Sequence, residues 1–180
     1  MALAMAVPAT AQSYSDGYTF IKAVQDRDGN KATGIINQPG TTVVNTARDG
    51  AGEYAVHIVT RGRDYTWLSY LLGKGARPDV QNAKGETALS LAAQIGWTEG
   101  AELLLSSGAT VDLPNQRGET PLILAVHGHS LPMVRLLLNG GANPNKTDHV
   151  AGYSALDYAR QDSRDAPIAR LLETKAKAKP

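Results

Sequence analysis

The densest grouping of side chains that could do chemistry is His127-Gly128-His129. Two imidazoles this close can form one edge of a metal site, which an Asp or Glu from a neighbouring unit would have to complete. A second set is Glu53, Glu86 and Glu119, carboxylates that recur every 33 residues. Stacked, they could form a cation site. Their alternation with Arg48, Lys84 and Arg117 favours the plainer reading, a ladder of solvated loop charges. Nucleophilic chemistry finds less support. The chain has no Cys, which removes thiol nucleophiles, disulfides and Cys-based zinc sites together. No glycine cluster forms a phosphate-cradling loop before Lys-Ser/Thr, Ser106-Ser107-Gly108 reads as a helix end, and no Gly-x-Ser-x-Gly supports a Ser/His/Asp triad. No catalytic residue and no cofactor is assigned.

The chain that must position these groups has 180 residues, 42% of them hydrophobic, enough for a substantial core in one domain or at most two. With one Phe and two Trp, that core is aliphatic. Eighteen basic residues against 17 acidic leave a net charge of +1, so no global field steers the protein toward nucleic acid. The opening MALAMAVPATAQS is uncharged, apolar from Ala2 to Val7, and too short in its apolar part to span a bilayer. Ala9-Thr10-Ala11 before Gln12 has the small-x-small form of a signal-peptidase site. Residues 1–11 therefore read as the remnant of a signal peptide whose basic n-region is missing. On that reading the mature protein starts near Gln12 and is periplasmic or secreted; the alternative is an uncharged leader on a cytoplasmic protein.

The elements follow from repetition. GETALSLAAQIGWTEGAELLLSSGA begins at Gly85, and GETPLILAVHGHSLPMVRLLLNGGA at Gly118. Aligned on Gly52, Gly85, Gly118 and Gly152 the periods are 33, 33 and 34 residues, the signature of a stacked array. Each unit runs from a glycine turn into a short helix of small residues, then a turn, then a helix that ends in leucines: Leu71-Leu72, Leu103 to Leu105, Leu136 to Leu138, Leu171-Leu172. Gly75, Gly108 and Gly141 follow, each suited to a left-handed helix end. Ala92, Ala93, Ala125 and Ala159 leave little bulk between successive first helices, while the leucines fill a wider outer layer. Trp67 falls at core spacing with Leu68 and Leu71. Trp97 and Ile95 are either an exposed apolar patch or a packed turn.

These residues resemble the ankyrin repeats. The pattern Gly-x-Thr-Pro-Leu-His-x-Ala is nearest at Gly118-Glu119-Thr120-Pro121-Leu122-Ile123-Leu124-Ala125, and Gly85 to Ala92 is almost as good. Leu-Leu-x-x-Gly-Ala-x-x-Asn/Asp appears as Leu71 to Asp79, Leu104 to Asp112 and Leu137 to Asn145. Arg63 and His129 stand where the family has a mid-repeat glycine. The family's Thr–His hydrogen-bond pair is complete nowhere: His57 has Tyr54 in place of Thr, while Thr87 and Thr120 face Ser90 and Ile123. The resemblance implies an all-α ankyrin-repeat solenoid of stacked helix-turn-helix units with short β-hairpin loops. Its expected organisation is an N-terminal capping unit (12–45), three repeats (46–79, 80–112, 113–146), a C-terminal capping unit (147–175) with its second helix starting near Pro167, and a basic, frayed tail (176–180).

Against metal, the resemblance places His127 among variable concave-face positions and His129 at a glycine position, so no metal ligand is assigned. The implied function is a non-catalytic module binding an unidentified partner protein on its concave face, as a monomer, with no nucleic acid and no stable membrane insertion. The face is implied to carry Arg48, Glu53, Arg61, Lys84, Glu86, Gln94, Ile95, Arg117, Glu119 and His127. Its centre falls at Gln94, Ile95, Arg117 and His127. The alternatives are a metal-dependent factor or small enzyme on the same scaffold, and a chaperone-like protector of an exported enzyme.

Overall fold

A helix leaves its first N–H groups without partners, and a Ser or Thr just ahead of it can accept one of them. That is how the repeated helices begin. Thr87 Oγ1 accepts from the Ser90 N–H (3.1 Å), Thr120 Oγ1 from Ile123 (3.4 Å) and Ser154 Oγ from Asp157 (3.3 Å). The structure is a computed structural model that describes the backbone of residues 9–178 and the side chains of residues 16–175. In chain order its helices are α1 (Ala9–Gln25), α2 (Gly29–Ile36), α3 (Val43–Thr46), α4 (Ala55–Arg61), α5 (Tyr65–Gly73), α6 (Ala88–Gln94), α7 (Thr98–Ser106), α8 (Pro121–His127), α9 (Leu131–Asn139), α10 (Ala155–Gln161) and α11 (Ala166–Ala178). A 3-10 turn, Ser163–Asp165, precedes α11, and Pro167 lies in that helix's first turn.

The short helices α4, α6, α8 and α10 stack in one layer, and α5, α7, α9 and α11 stack behind them. Alanine is what lets the first layer close. Ala55, Ala88, Ala92, Ala93, Ala125, Ala155 and Ala159 are all inaccessible to solvent or within 1% of it. In the second layer every unit has a fully buried leucine near the end of its helix, Leu71, Leu104, Leu137 and Leu172, and α5 adds Leu68. Each contributes about 1.5–3 kcal/mol of burial. Neighbours such as Leu72, Leu103 and Leu136 are half-buried against the same core.

The turns behave as their residues require. Gly75, Gly108 and Gly141 end the second helices at φ of 82°, 88° and 93°. The turn between paired helices also needs a left-handed residue in every unit before the C-terminal one. Gly96 supplies it at φ 65°, Arg63 and His129 at 50° and 52°, and Arg27 makes the same turn between α1 and α2 at 57°. Trp97 is a packed turn: it is 6% exposed, and its ring lies over Gly100, where a Cβ would come within 2.1 Å. Trp67 is half-buried, edge-on to Tyr70 at 5.4 Å. The loops are less β-like than a hairpin implies. Among the described residues they show two isolated antiparallel bridges, Arg48 with Tyr54 and Thr147 with Ser154.

Met1 to Pro8 of the leader lie outside the described residues, while the Ala9-Thr10-Ala11 backbone forms the start of α1. Of the tail, α11 continues to Ala178 and the last two residues lie outside the description. No described helix is long and apolar enough to cross a membrane.

Candidate partner-binding surface

Each loop ahead of a first helix is folded around one side chain. Asn82 Oδ1 accepts the N–H groups of Lys84 (2.9 Å) and Glu86 (3.0 Å), and Asn115 Oδ1 accepts those of Arg117 (2.9 Å) and Glu119 (3.0 Å). Asp49 and Asp148 do the same work at the two ends, Asp49 from Ala51 and Glu53, Asp148 from Val150, Ala151 and Gly152. An Asx side chain of this kind substitutes for a strand partner, which is why so little β-pairing is needed. Adjacent loops are then joined by one backbone bond each: Ala83 N–H to Ala51 O (3.4 Å), Gln116 to Lys84 (3.1 Å), His149 to Arg117 (2.8 Å). The turn glycine is required at this junction. At Gly118, φ is 79° and a Cβ would stand 2.6 Å from the His149 nitrogen.

This scaffold corrects the expectation that the glutamates are solvated. The Asn82 amide donates to Glu86 Oε2 and the Asn115 amide to Glu119 Oε2, both at 2.8 Å. Asp49 has no amide to give, and Glu53 is held by Arg61 Nε at 2.8 Å instead. The same Arg61 reaches Glu86 at 3.2 Å, tying two loops together. The side chains of Glu53, Glu86 and Glu119 are only 14%, 13% and 8% exposed. Tethering to the turn's own Asx residue, or to the next helix end, draws each carboxylate off the surface. The groups left facing water are the cations and the amide: Arg48, Lys84, Arg117 and Gln94 are exposed. Ile95 is half-buried, with its carbonyl held by Arg63.

Arg117 and His127 do meet. Arg117 Nη2 is 3.6 Å and His127 Nδ1 3.9 Å from the same Glu119 oxygen. Among the described residues, Gln94 and Ile95 share no side-chain hydrogen bond or ion pair with them. The cluster is completed by residues that sequence reasoning passed over. Tyr158 packs edge-on to His127 at 4.5 Å, and Tyr153, 42% exposed, packs edge-on to Tyr158 at 5.5 Å. The Tyr158 hydroxyl donates to Asp148, and this bond, with burial, pushes the phenol up to about 12. Burial pushes the Asp148 carboxyl up, but hydrogen bonds from Tyr158 and three backbone N–H groups outweigh it and leave the group below its usual range. The signal for this cluster was present: Asp49, Asn82, Asn115 and Asp148 are spaced by 33 residues, and Tyr158 follows the last of them.

His57 shows how one unit is tied to the next without the missing threonine. Its Nδ1 accepts the Tyr54 backbone N–H (3.1 Å), so Nε2 carries the proton and donates to the Glu86 carbonyl of the following unit (3.0 Å). Burial lowers its pKa and keeps it neutral. The family model for ankyrin repeats (3 copies) matches residues 54–148 and 108–179, well over half of the chain. The chain belongs to the ankyrin-repeat family. No curated protein matches it. Ankyrin repeats suggest a protein–protein interaction module, and the family is generally non-catalytic.

Within this ankyrin array the two histidines of His127-Gly128-His129 take different partners. His127 faces Glu119 and Tyr158 in the loop layer. His129 turns to the C-terminal unit, where its Nδ1 lies 3.0 Å from both oxygens of Asp165. The left-handed backbone at His129 separates their directions, so the pair does not form one metal edge.

Proposed function

We propose that this ankyrin protein is a non-catalytic binding module that holds a partner protein on its concave face, the side formed by the loop tips and first helices. The observation that carries the reading is the cluster of Arg117, His127, Tyr153 and Tyr158 around Glu119. Tyr and Arg dominate the energetics of protein interfaces, and here they stand on a hydrogen-bonded loop scaffold that costs little to order on binding. Arg48, Arg61, Lys84 and Gln94 extend the polar rim along the preceding units, with Glu53 and Glu86 fixing Arg61 between them and Ile95 the one aliphatic group. The test is affinity capture from the native source, followed by binding of a variant carrying Arg117→Ala, His127→Ala and Tyr153→Ala. A loss of more than tenfold, about 1.4 kcal/mol, is expected with an almost unchanged Tm. Undiminished binding, with a loss instead on changing Glu102 and Arg135 of the second helices, overturns the concave assignment.

The small-residue site at Ala9-Thr10-Ala11 supports export and action outside the cytoplasm. N-terminal sequencing of the native protein is expected to begin near Gln12. A mature cytoplasmic protein that retains Met1 overturns this part of the reading.

A further inference from the structure

We propose that His129 and Asp162 bind one divalent transition-metal ion of the zinc type, with Asp165 as the positioning residue, at the place the Arg164 guanidinium fills. The site lies away from the concave cluster and does not depend on the binding reading. It begins with a residue in an unfavourable place. The equivalent turn position in the preceding unit is Gly96 at φ 65°, and His129 adopts φ 52° at a conformational cost. What that placement achieves is contact with the turn between α10 and α11.

The protonation of the ring follows from its neighbours. Arg164 Nη2 stands 3.2 Å from His129 Nε2, and a guanidinium can only donate, so Nε2 presents a lone pair. The ring proton is therefore on Nδ1, donated to Asp165. Asp165 is 2% exposed, and among the described residues its carboxylate hydrogen-bonds to this imidazole alone. A buried carboxylate that holds Nδ1–H while Nε2 points outward is the arrangement that orients an imidazole for a metal.

The second ligand is already aimed at the same point. Asp162 Oδ2 holds Arg164 Nη2 at 2.6 Å, so one cationic nitrogen bridges Asp162 and His129 Nε2. One donor atom from each of His129, Asp162 and Asp165 lies within 4.8 Å of the others. The Arg164 side chain is 71% exposed and can swing into water without opening the core. Two carboxylates facing one guanidinium leave a charge of minus one, which a dication in its place would neutralise. An imidazole nitrogen with carboxylate oxygen suits zinc-type ions, whereas magnesium and calcium prefer all-oxygen shells. Water would complete the coordination. Such an ion would staple the turn between α8 and α9 to the turn between α10 and α11.

The test is calorimetric titration of the full chain with zinc chloride at neutral pH. One saturable ion per chain is expected. His129→Gly removes the ligand while placing at this turn the residue its backbone favours, so it should stay folded and bind at least tenfold more weakly. Asp165→Asn should weaken binding by about 10–100-fold. Arg164→Ala should tighten it, because the competing cation is gone, and His127→Ala should leave it unchanged. Excess magnesium should not displace the zinc. Zinc binding unaltered in His129→Gly, lost in His127→Ala, or absent from both the native chain and Arg164→Ala overturns the proposal.

Discussion

The central loops at Asn82 and Asn115 and the outer loops at Asp49 and Asp148 are built around the same Asx position, the last with one residue more, and differ in whether that side chain carries a nitrogen. Where the residue is Asn, its nitrogen donates to a glutamate of the same loop, and the loop is closed on itself. Where it is Asp, the second oxygen needs a donor, and the loop takes one from an end element. Asp49 Oδ2 accepts from Gln25 of α1 (3.2 Å), and Asp148 Oδ2 accepts from Tyr158 of α10. An interior loop is thus self-sufficient, and an outer loop is anchored by its cap. The same choice decides what the loop holds: a glutamate drawn off the surface in the interior, a tyrosine at the C-terminal end.

The largest effect is expected at the turn glycines, and it separates the C-terminal loop from the three before it, since Gly52, Gly85 and Gly118 all lie against the backbone of the next loop. Gly118→Ala forces a left-handed alanine and drives its Cβ into the His149 backbone, for a loss of about 3 kcal/mol. At Gly152, φ is 70° but nothing lies within 4 Å of an added Cβ, so Gly152→Ala should lose only about 1 kcal/mol. Urea unfolding of both variants measures the difference, and equal losses would show that contact between loops contributes nothing.

Asn115→Asp turns an interior loop into an outer-type loop without a cap to supply the donor. The new carboxylate would face Glu119, itself 6% exposed, for an expected loss of about 2 kcal/mol at neutral pH. In acid the new side chain can protonate and donate again, so the loss should shrink below about pH 4. A loss that does not depend on pH would mean that the Asn115 amide is not what holds Glu119.

Much of the array was legible because repetition is a strong signal. Gly75, Gly108 and Gly141 marked the helix ends, and Ala92, Ala125 and Ala159 marked the crowded layer. The loop glutamates were misread because charge alternation along the chain says nothing about tethering. Asn82 and Asn115 decide that, and they act across a turn of only four residues. The Trp97 question turned on Gly100, three residues on, whose missing side chain makes room for the ring. His129 with Asp165 could not be read at all. These residues lie in different units, and only the left-handed turn at 129 aims the imidazole at the later one.

At the C-terminal loop, Tyr158→Phe removes the cap's donor from Asp148, and a hydrogen bond to a charged group makes the expected loss about 1.5 kcal/mol. The loss should carry a pH signature. The phenol titrates at about 12 in the folded chain against its ordinary 10, so the bond's contribution is whole below pH 10 and fades as pH rises toward 12. On the acid side the Asp148 carboxyl is held below its usual range, so the same contribution is present above that range and fades as pH falls through the folded value. Native protein and Tyr158→Phe should therefore converge in stability at both extremes, as thermal melts across pH would show.

The smallest effect is expected at the other end, where the same geometry is met by a weaker donor in a wetter place. Gln25 reaches Asp49 through a neutral amide at 3.2 Å, and both side chains of the bond lie at the surface. Water can replace the amide there at little cost, so Gln25→Ala should lose only about 0.5 kcal/mol. Asp49 would still hold Ala51 and Glu53 through its other oxygen, and Arg61 would still bind Glu53. The loop should therefore keep its shape, and hydrogen exchange at the Glu53 amide should change little. A loss as large as that of Tyr158→Phe would mean that α1 fixes its loop as firmly as α10 does, and the two ends of the array would then be equivalent rather than graded.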